Sequence, residues 1–185
     1  MGCPVNFTSL EVTYACGSIA SGGLKSVYLA DKAELDGLVS VANNVVTFNV
    51  TTTLKAALVA AGNDLLELGF NNKDGFSNFT DVKTVNADGS ASVVPTITME
   101  FLRMNDEKRD ALEQIATPGA EIVAFVETAA GTKHLVGFDF GLYAGTVDGA
   151  SGASRTDKNR YQLTLIGEEN VLAYSISDTE WNDLV

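Results

Sequence analysis

The sequence predicts a mainly β fold: an antiparallel β-sandwich or barrel with one flanking α-helix at about residues 105–116 and extended loops or hairpin arms. Three observations carry this expectation. Charged residues are only 19% of the chain and glycine is plentiful at 17 residues, which favours strands and turns over long helices. Apolar and polar residues alternate with a period of two in segment after segment. The clearest helix, "MNDEKRDALEQIATPG", is short and its apolar stripe is narrow, so it should pack on a sheet.

The elements follow in chain order. Leu10, Val12 and Tyr14 alternate with Glu11 and Thr13, as in a half-buried strand. "GSIASGGL" is a loop by composition and "KSVYLA" a short strand. "ADKAELDGL" reads as a helical turn stopped by Gly37. "NNVVTFNV" is a strand with Val46, Phe48 and Val50 on one face. "TTLKAALVAAG" is a short helix with Thr52 or Thr53 as N-cap and Gly62 as its stop. "DLLELGF" puts Leu66, Leu68 and Phe70 on one side of a strand.

The central hairpin is the sharpest signal. "FTDVKTV" and "ASVVPTITMEFL" flank "NADGS", where Asp88-Gly89 supplies the positive φ of a tight turn. Ile97, Met99 and Phe101 then face one way, Thr98 and Glu100 the other. Pro95 cannot donate to a ladder, so the strand is an edge there or starts there. In the helix that follows, Asn105 is the N-cap and Asp106 and Glu107 meet the positive end of the helix dipole. Met104, Ala111, Leu112 and Ile115 form the stripe, and Pro118-Gly119 ends it. "EIVAFVET" is apolar from Ile122 to Val126 and so buried on both faces. "KHLVGFDFGLYA" returns with Phe138, Phe140 and Leu142 alternating. "RYQLTLIG" and "NVLAYSIS" form a last hairpin through Gly167–Asn170, and Trp181 and Leu184 anchor the acidic tail.

The 185 residues suit one domain, 1–185, and 45% hydrophobic content supports a sizeable core. Net charge is −12, from 24 acidic and 12 basic residues. Such a surface repels phosphate and argues against specific nucleic-acid binding. Cys3 and Cys16 are too few for a disulfide framework. They form one bridge in an oxidising setting or two free thiols in a cytoplasm. The start "MGCPVNFTSLEVTYACG" lacks the basic residues and apolar run of a signal peptide, and Asn6 breaks the myristoylation pattern. No apolar run reaches a membrane-spanning length.

No catalytic, metal or cofactor site is expected. His134 is the one imidazole, and the sequence offers it no nucleophile partner. One His and two distant Cys match no zinc spacing. "NNKDGFSNFTD" and "DGASGASRTDKN" fail the twelve-residue calcium-loop pattern. "DGASGAS" lacks the lysine and following helix of a phosphate cradle.

From residue 104 onward the order of features resembles the tail-tube and related tail proteins of tailed bacteriophages. The resemblance runs through the helix "NDEKRDALEQIATPG", the strands "EIVAFVET" and "KHLVGFDFGLYAG", the small-residue loop "TVDGASGAS", and "RTDKNRYQLTLIGEEN". It implies a sandwich or barrel whose subunits, commonly six, form a ring. Such rings stack with other virion tail proteins into a tube whose lumen passes DNA as non-specific cargo. The virion tail would be its location after assembly in the host cytoplasm, with no membrane involved and no enzyme activity. Segment 1–24, the hairpin at about 80–102 and the loop 145–160 are the candidate assembly arms. Gly145–Ser154 is then a mobile loop that orders against a neighbour. The candidate inter-subunit contacts are Asp148, Gly149, Ser151, Gly152, Arg155, Asp157, Lys158 and Arg160, with Asp88 and Gly89 at the hairpin tip. Tube, terminator, connector and baseplate rings all fit. The competing reading is a surface-binding β module, an adhesin or carbohydrate-binding domain. An enzyme would need His134 paired with a buried carboxylate in a cleft.

Overall fold

Residues 22–71, 77–153 and 157–184 are described by the computed structural model of the chain. The apolar run predicted to be buried on both faces becomes β7 (Ile122–Thr128), and its first six residues are all buried. β1 (Leu24–Asp31) pairs antiparallel with it from Leu24↔Thr128 to Asp31↔Ile122. β8 (Lys133–Val136) pairs with it antiparallel as well, and β9 (Leu142–Ala150) touches it at Ile122↔Leu142.

The remaining strands extend this frame. They are β2 (Val39–Ala42), β3 (Val45–Phe48), β4 (Leu66–Glu67), β5 (Asn78–Val85), β6 (Ala91–Leu102), β10 (Arg160–Gly167) and β11 (Tyr174–Ser175). The sheet has 11 strands in the order β2-β3-β11-β8-β7-β9-β10-β6-β5, with β1 on β7 and β4 on β1. The fold is therefore mainly β, with α2 (Asp106–Ile115) as its flanking helix and two shorter helices, α1 (Leu54–Ala60) and α3 (Asp178–Asn182).

Two cores lie on either side of β7. On one, Val27 and Leu29 of β1 and Ala124 and Val126 of β7 meet Ile97 and Met99 of β6, Leu163 and Leu165 of β10, and Leu112 and Ile115 of α2. On the other, Tyr28, Val123, Phe125 and Leu135 meet Val46 and Phe48, Leu54 and Leu58 of α1, and Trp181 and Leu184. Each such side chain contributes about 1.5–3 kcal/mol by leaving water. Phe125 also meets Phe48 edge to face, with centroids 5.8 Å apart.

The caps read from sequence hold. Thr53 accepts from the Ala56 amide and Asn105 from the Lys108 amide. The first amides of α1, at Leu54 and Lys55, donate to the carbonyls of Asp183 and Leu184, which satisfies donors a helix start leaves open. Trp181 and Leu184 are buried anchors as expected. The central hairpin turns at Asn86–Ser90, with Gly89 at φ 88° and Asp88 accepting the Ser90 amide.

Four local expectations are corrected. β2 was missed: Asn43 and Asn44, read as the start of a strand, take φ of 52° and 63° and make the two-residue turn of a β2–β3 hairpin. "DLLELGF" keeps two strand residues, and Leu66 faces solvent at 39% exposure while Leu65 is buried. "KHLVGFDFGLYA" breaks into β8 and β9 around a bend at 137–141, which leaves Phe140 56% exposed. The last hairpin does not form. β10 lies between β6 and β9, and β11 pairs with β8 and β3. Of the two readings of Pro95 the strand start is overturned, since β6 begins at Ala91, while the local edge holds: Pro95 pairs with Asp81 of β5 and has no partner in β10. The β10 ladder stops at Thr96 and contact resumes at Val93↔Glu169, so the missing amide falls in the gap. The strand read at Leu10–Tyr14, Cys3 and Cys16 lie outside the described residues.

The bend at Gly137 fixes how the sheet doubles over. Its φ is 79°, and an added Cβ would lie 2.5 Å from Leu142 Cγ and 2.9 Å from the Ile122 carbonyl oxygen. Gly137→Ala is expected to cost about 2 kcal/mol or more, from backbone strain and the clash together. Chemical denaturation of the two proteins measures it.

Candidate functional site

The candidate contacts fall on one part of the sheet, β9-β10-β6-β5. Among the described residues β5 has a ladder partner only in β6, and β9 beyond Leu142 has one only in β10. Within that set both outer edges present open backbone donors and acceptors. The β5–β6 hairpin extends past the core, and every residue from Val82 to Ser92 is exposed. Val82 lies opposite Val94, both exposed, and Val85 is 69% exposed near the tip that carries Asp88 and Gly89.

The late loop is shorter than expected. Gly145–Ala150, read as mobile loop, belongs to β9 and pairs with β10, Asp148 opposite Gln162 and Gly149 opposite Tyr161. Glycine at 149 answers to packing. A Cβ there would lie 2.9 Å from Tyr161 Cε1 and 3.2 Å from Met104 Cε. Composition alone made this small-residue run look like a loop; the Tyr161 ring lying over it explains the strand. The loop proper starts at Ser151. Ser151 Oγ donates to the Gly152 carbonyl at 3.4 Å, and the Ala153 amide donates to Asp157 Oδ2 at 2.8 Å. Arg155 lies outside the described residues.

Lys158 and Arg160 converge on Glu100, on the face of β6 opposite Ile97, Met99 and Phe101. Glu100 is 0% exposed. Lys158 Nζ lies 3.0 Å from its Oε1 and Arg160 Nη1 2.7 Å from its Oε2. The Asn71 amide donates to Oε1 at 3.0 Å. Buried Ser77 closes the cluster: its hydroxyl donates to the Asn71 carbonyl at 2.7 Å and accepts the Glu100 amide at 3.2 Å. Burial pushes the Glu100 carboxyl up, but Asn71, Lys158 and Arg160 outweigh it and hold the group below the usual carboxylate range. At the base of the loop, Asn159 accepts from the Arg103 and Met104 amides, which ties the loop to the approach to α2.

Two groups of predicted contacts are thus far apart. Asp88 and Gly89 sit beyond the start of β6, whereas Arg160 pairs with its last residue, Leu102. Eleven strand steps separate these ends, roughly 35 Å. No sequence signal linked Glu100 to Lys158 and Arg160. Period-two alternation put Glu100 on the face opposite Ile97, Met99 and Phe101, but said nothing about what covers it.

His134 sits on β8, half-buried, with its ring 5.8 Å from that of Phe79. Its Nδ1 has no hydrogen-bond partner, and burial pushes its pKa down against the pull of Asp81. Among the described residues no group of three His, Cys, Asp or Glu side chains is placed to hold a metal ion. Among the described residues no helix is long and apolar enough to cross a membrane. No protein-family model, curated protein or solved structure matches the chain.

Glu100→Gln would leave two cations facing a neutral amide. It is expected to cost about 3 kcal/mol, as breaking a buried ion pair does. The folded pKa of Glu100 is depressed, so its stabilisation is present above the unfolded pKa and lost as pH falls through the folded one. Denaturant titrations from neutral to acid pH should show a smaller acid loss in Glu100→Gln than in the parent protein.

Proposed function

We propose that this chain is a virion structural protein that self-assembles into rings or a tube of a phage tail, as tail tube or as connector or terminator ring. The observation that carries the reading is the projecting β5–β6 hairpin, exposed on both faces, on a part of the sheet whose two edges are unpaired among the described residues. A monomer left in this form would risk edge-to-edge aggregation. Pairing of edges and burial of Val82, Val85 and Val94 between identical subunits converts that hazard into a specific contact. The loop at 151–159 offers a second contact, stiffened from behind by Glu100. Lys158 and Arg160 face that carboxylate within the chain, so charge pairs across a subunit boundary would be shared with it.

The charge of −12 suits a lumen that repels DNA phosphate and lets DNA slide through as cargo. A closed ring of about six copies, stacked with other tail proteins in the virion, satisfies these features together. Assembly in the host cytoplasm fits the same reading.

Light scattering over rising concentration, with negative-stain imaging, tests the proposal. Rings are the expected outcome, and a strictly monomeric species at high concentration would sink it. Val85→Asp should leave the circular-dichroism spectrum unchanged and shift the population to monomer, because Val85 contributes little to the subunit's own core. Deleting residues 149–154 is a poorer test, since Gly149 and Ala150 are strand residues.

A further inference from the structure

Two chain crossings connect strands on either side of the doubled sheet: 137–141, from β8 to β9, and 168–173, from β10 to β11. Acidic side chains bring them together. Glu169 exchanges both backbone hydrogen bonds with Val93, at 2.9 and 2.8 Å. It is 7% exposed. Its Oε1 accepts the Phe140 amide at 3.3 Å, and its Oε2 is buried without a partner. Asp139 accepts the Tyr174 hydroxyl, 3.0 Å from each carboxylate oxygen. Asp81 reaches in from β5. Its Oδ2 accepts the Ala173 amide at 2.6 Å, and its Oδ1 is also buried without a partner.

Asp81 and Glu169 line one cavity of about 10 Å³. That is the room one water molecule takes, so no organic ligand fits. The groups facing Glu169 are Asp139 from the first crossing, Tyr174 from β11 and Asp81 from β5, with His134 of β8 beyond Asp81. From β6 come Val93 and Pro95, which carry no charge. Three carboxyls thus meet with no lysine or arginine among them. Burying like charges without a counter-ion is costly enough that one group gives up its charge. Asp139 accepts the Tyr174 hydroxyl at 3.0 Å and Asp81 the Ala173 amide at 2.6 Å, whereas the bond to Glu169, from the Phe140 amide, is the longest at 3.3 Å, so Glu169 is the group least able to hold a charge there.

We propose that Glu169 is a proton-operated clasp: it carries a proton at mildly acid pH, holds the crossing at 137–141 against that at 168–173, and loosens the joint when it ionises. The proton on Oε2 leaves to solvent and the carboxylate remains, next to Asp139 and Asp81. Burial, reinforced by the charge of Asp139, lifts the Glu169 pKa to about 7, against 4.5 for an ordinary glutamate. Burial and Asp139 likewise push Tyr174 to about 12, so it keeps its proton throughout. His134 is pushed down and brings no positive charge in this range. A raised carboxyl pKa means that the folded state binds the proton more tightly. The stabilisation is full below the unfolded pKa and is lost as pH rises through about 7.

Thermal unfolding of the parent protein and Glu169→Gln, from about pH 5.5 to about pH 8.5, tests the clasp whether or not the chain forms rings. The amide mimics the protonated acid. The parent melting temperature should fall across the range by on the order of 5 °C relative to the variant, whose own profile stays flatter. Parallel profiles overturn the proposal. So does calcium or sodium that raises the parent melting temperature at the alkaline end but not that of Glu169→Gln, because the counter-ion would then be a metal. If the variant fails to fold, infrared spectra of the parent decide. A protonated-carboxyl band that disappears around neutral pH supports the clasp, and its absence at mildly acid pH removes it.

Discussion

The structure depends on one strand whose first six residues are buried. β7 offers apolar side chains to both faces, so each face must be covered by a separate layer. One layer is built by β6, β10 and α2, the other by β3, α1 and α3. β1 and β8 run alongside it and share both duties, with Val27 and Leu29 facing one core and Tyr28 and Ala30 the other. A polar residue in the middle of β7 would be buried whichever way it pointed, and none occurs between Ile122 and Val126. The first polar group on the strand, Glu127, is kept by Lys25 at 2.7 Å and Ser26 at 3.1 Å.

The same strand shows why some of this fold was legible in the sequence and some was not. An unbroken apolar run needs no partner to be recognised as doubly buried. Capped helices are also local: Thr53 and Asn105 declare their helices by the amides they accept. So is the Asp88-Gly89 turn. What failed was pairing over distance and the meaning of small residues. Two alternating segments close in sequence, 160–167 and 170–177, look like a hairpin. They separate because β6 and β9 offer β10 two edges, and the chain then crosses to β8. Glycine reads as freedom, yet at 149 it marks where an aromatic ring lies flat on the backbone. Asn43-Asn44 carried a turn signal that was absorbed into the strand after it. Of the candidate contacts, the hairpin tip was visible because turn chemistry is local. The Glu100 cluster was not, since it gathers Asn71, Ser77, Lys158 and Arg160 from three separate segments.

Two of the buried acids, Glu100 and Glu169, solve one electrostatic problem in opposite ways. Glu100 keeps its charge because cations and an amide surround it. Glu169 lies against other acids, with no cation beside it among the described residues and the Phe140 amide at 3.3 Å as its donor. The first arrangement fixes a loop onto a sheet face. The second joins two crossings whose relative position sets how β9 and β10 leave the body of the fold. Stiffness at the candidate contact surface and adjustability at its root therefore come from the same residue type in different company.

The β1–β7 ladder has a further consequence, in time rather than in space. Leu24 and Thr128 are ladder partners although a hundred or so residues of chain lie between them. Closing so large a loop is slow compared with forming β5–β6 or β9–β10, whose strands are joined by short turns. The hairpins that present the exposed valines and open edges are thus expected to exist before the central strand is covered. During that interval the nascent molecule displays its most adhesive surface on a body not yet sealed. A low local protein concentration, or a chaperone that shields β5 and β9, then decides how many chains reach the closed form.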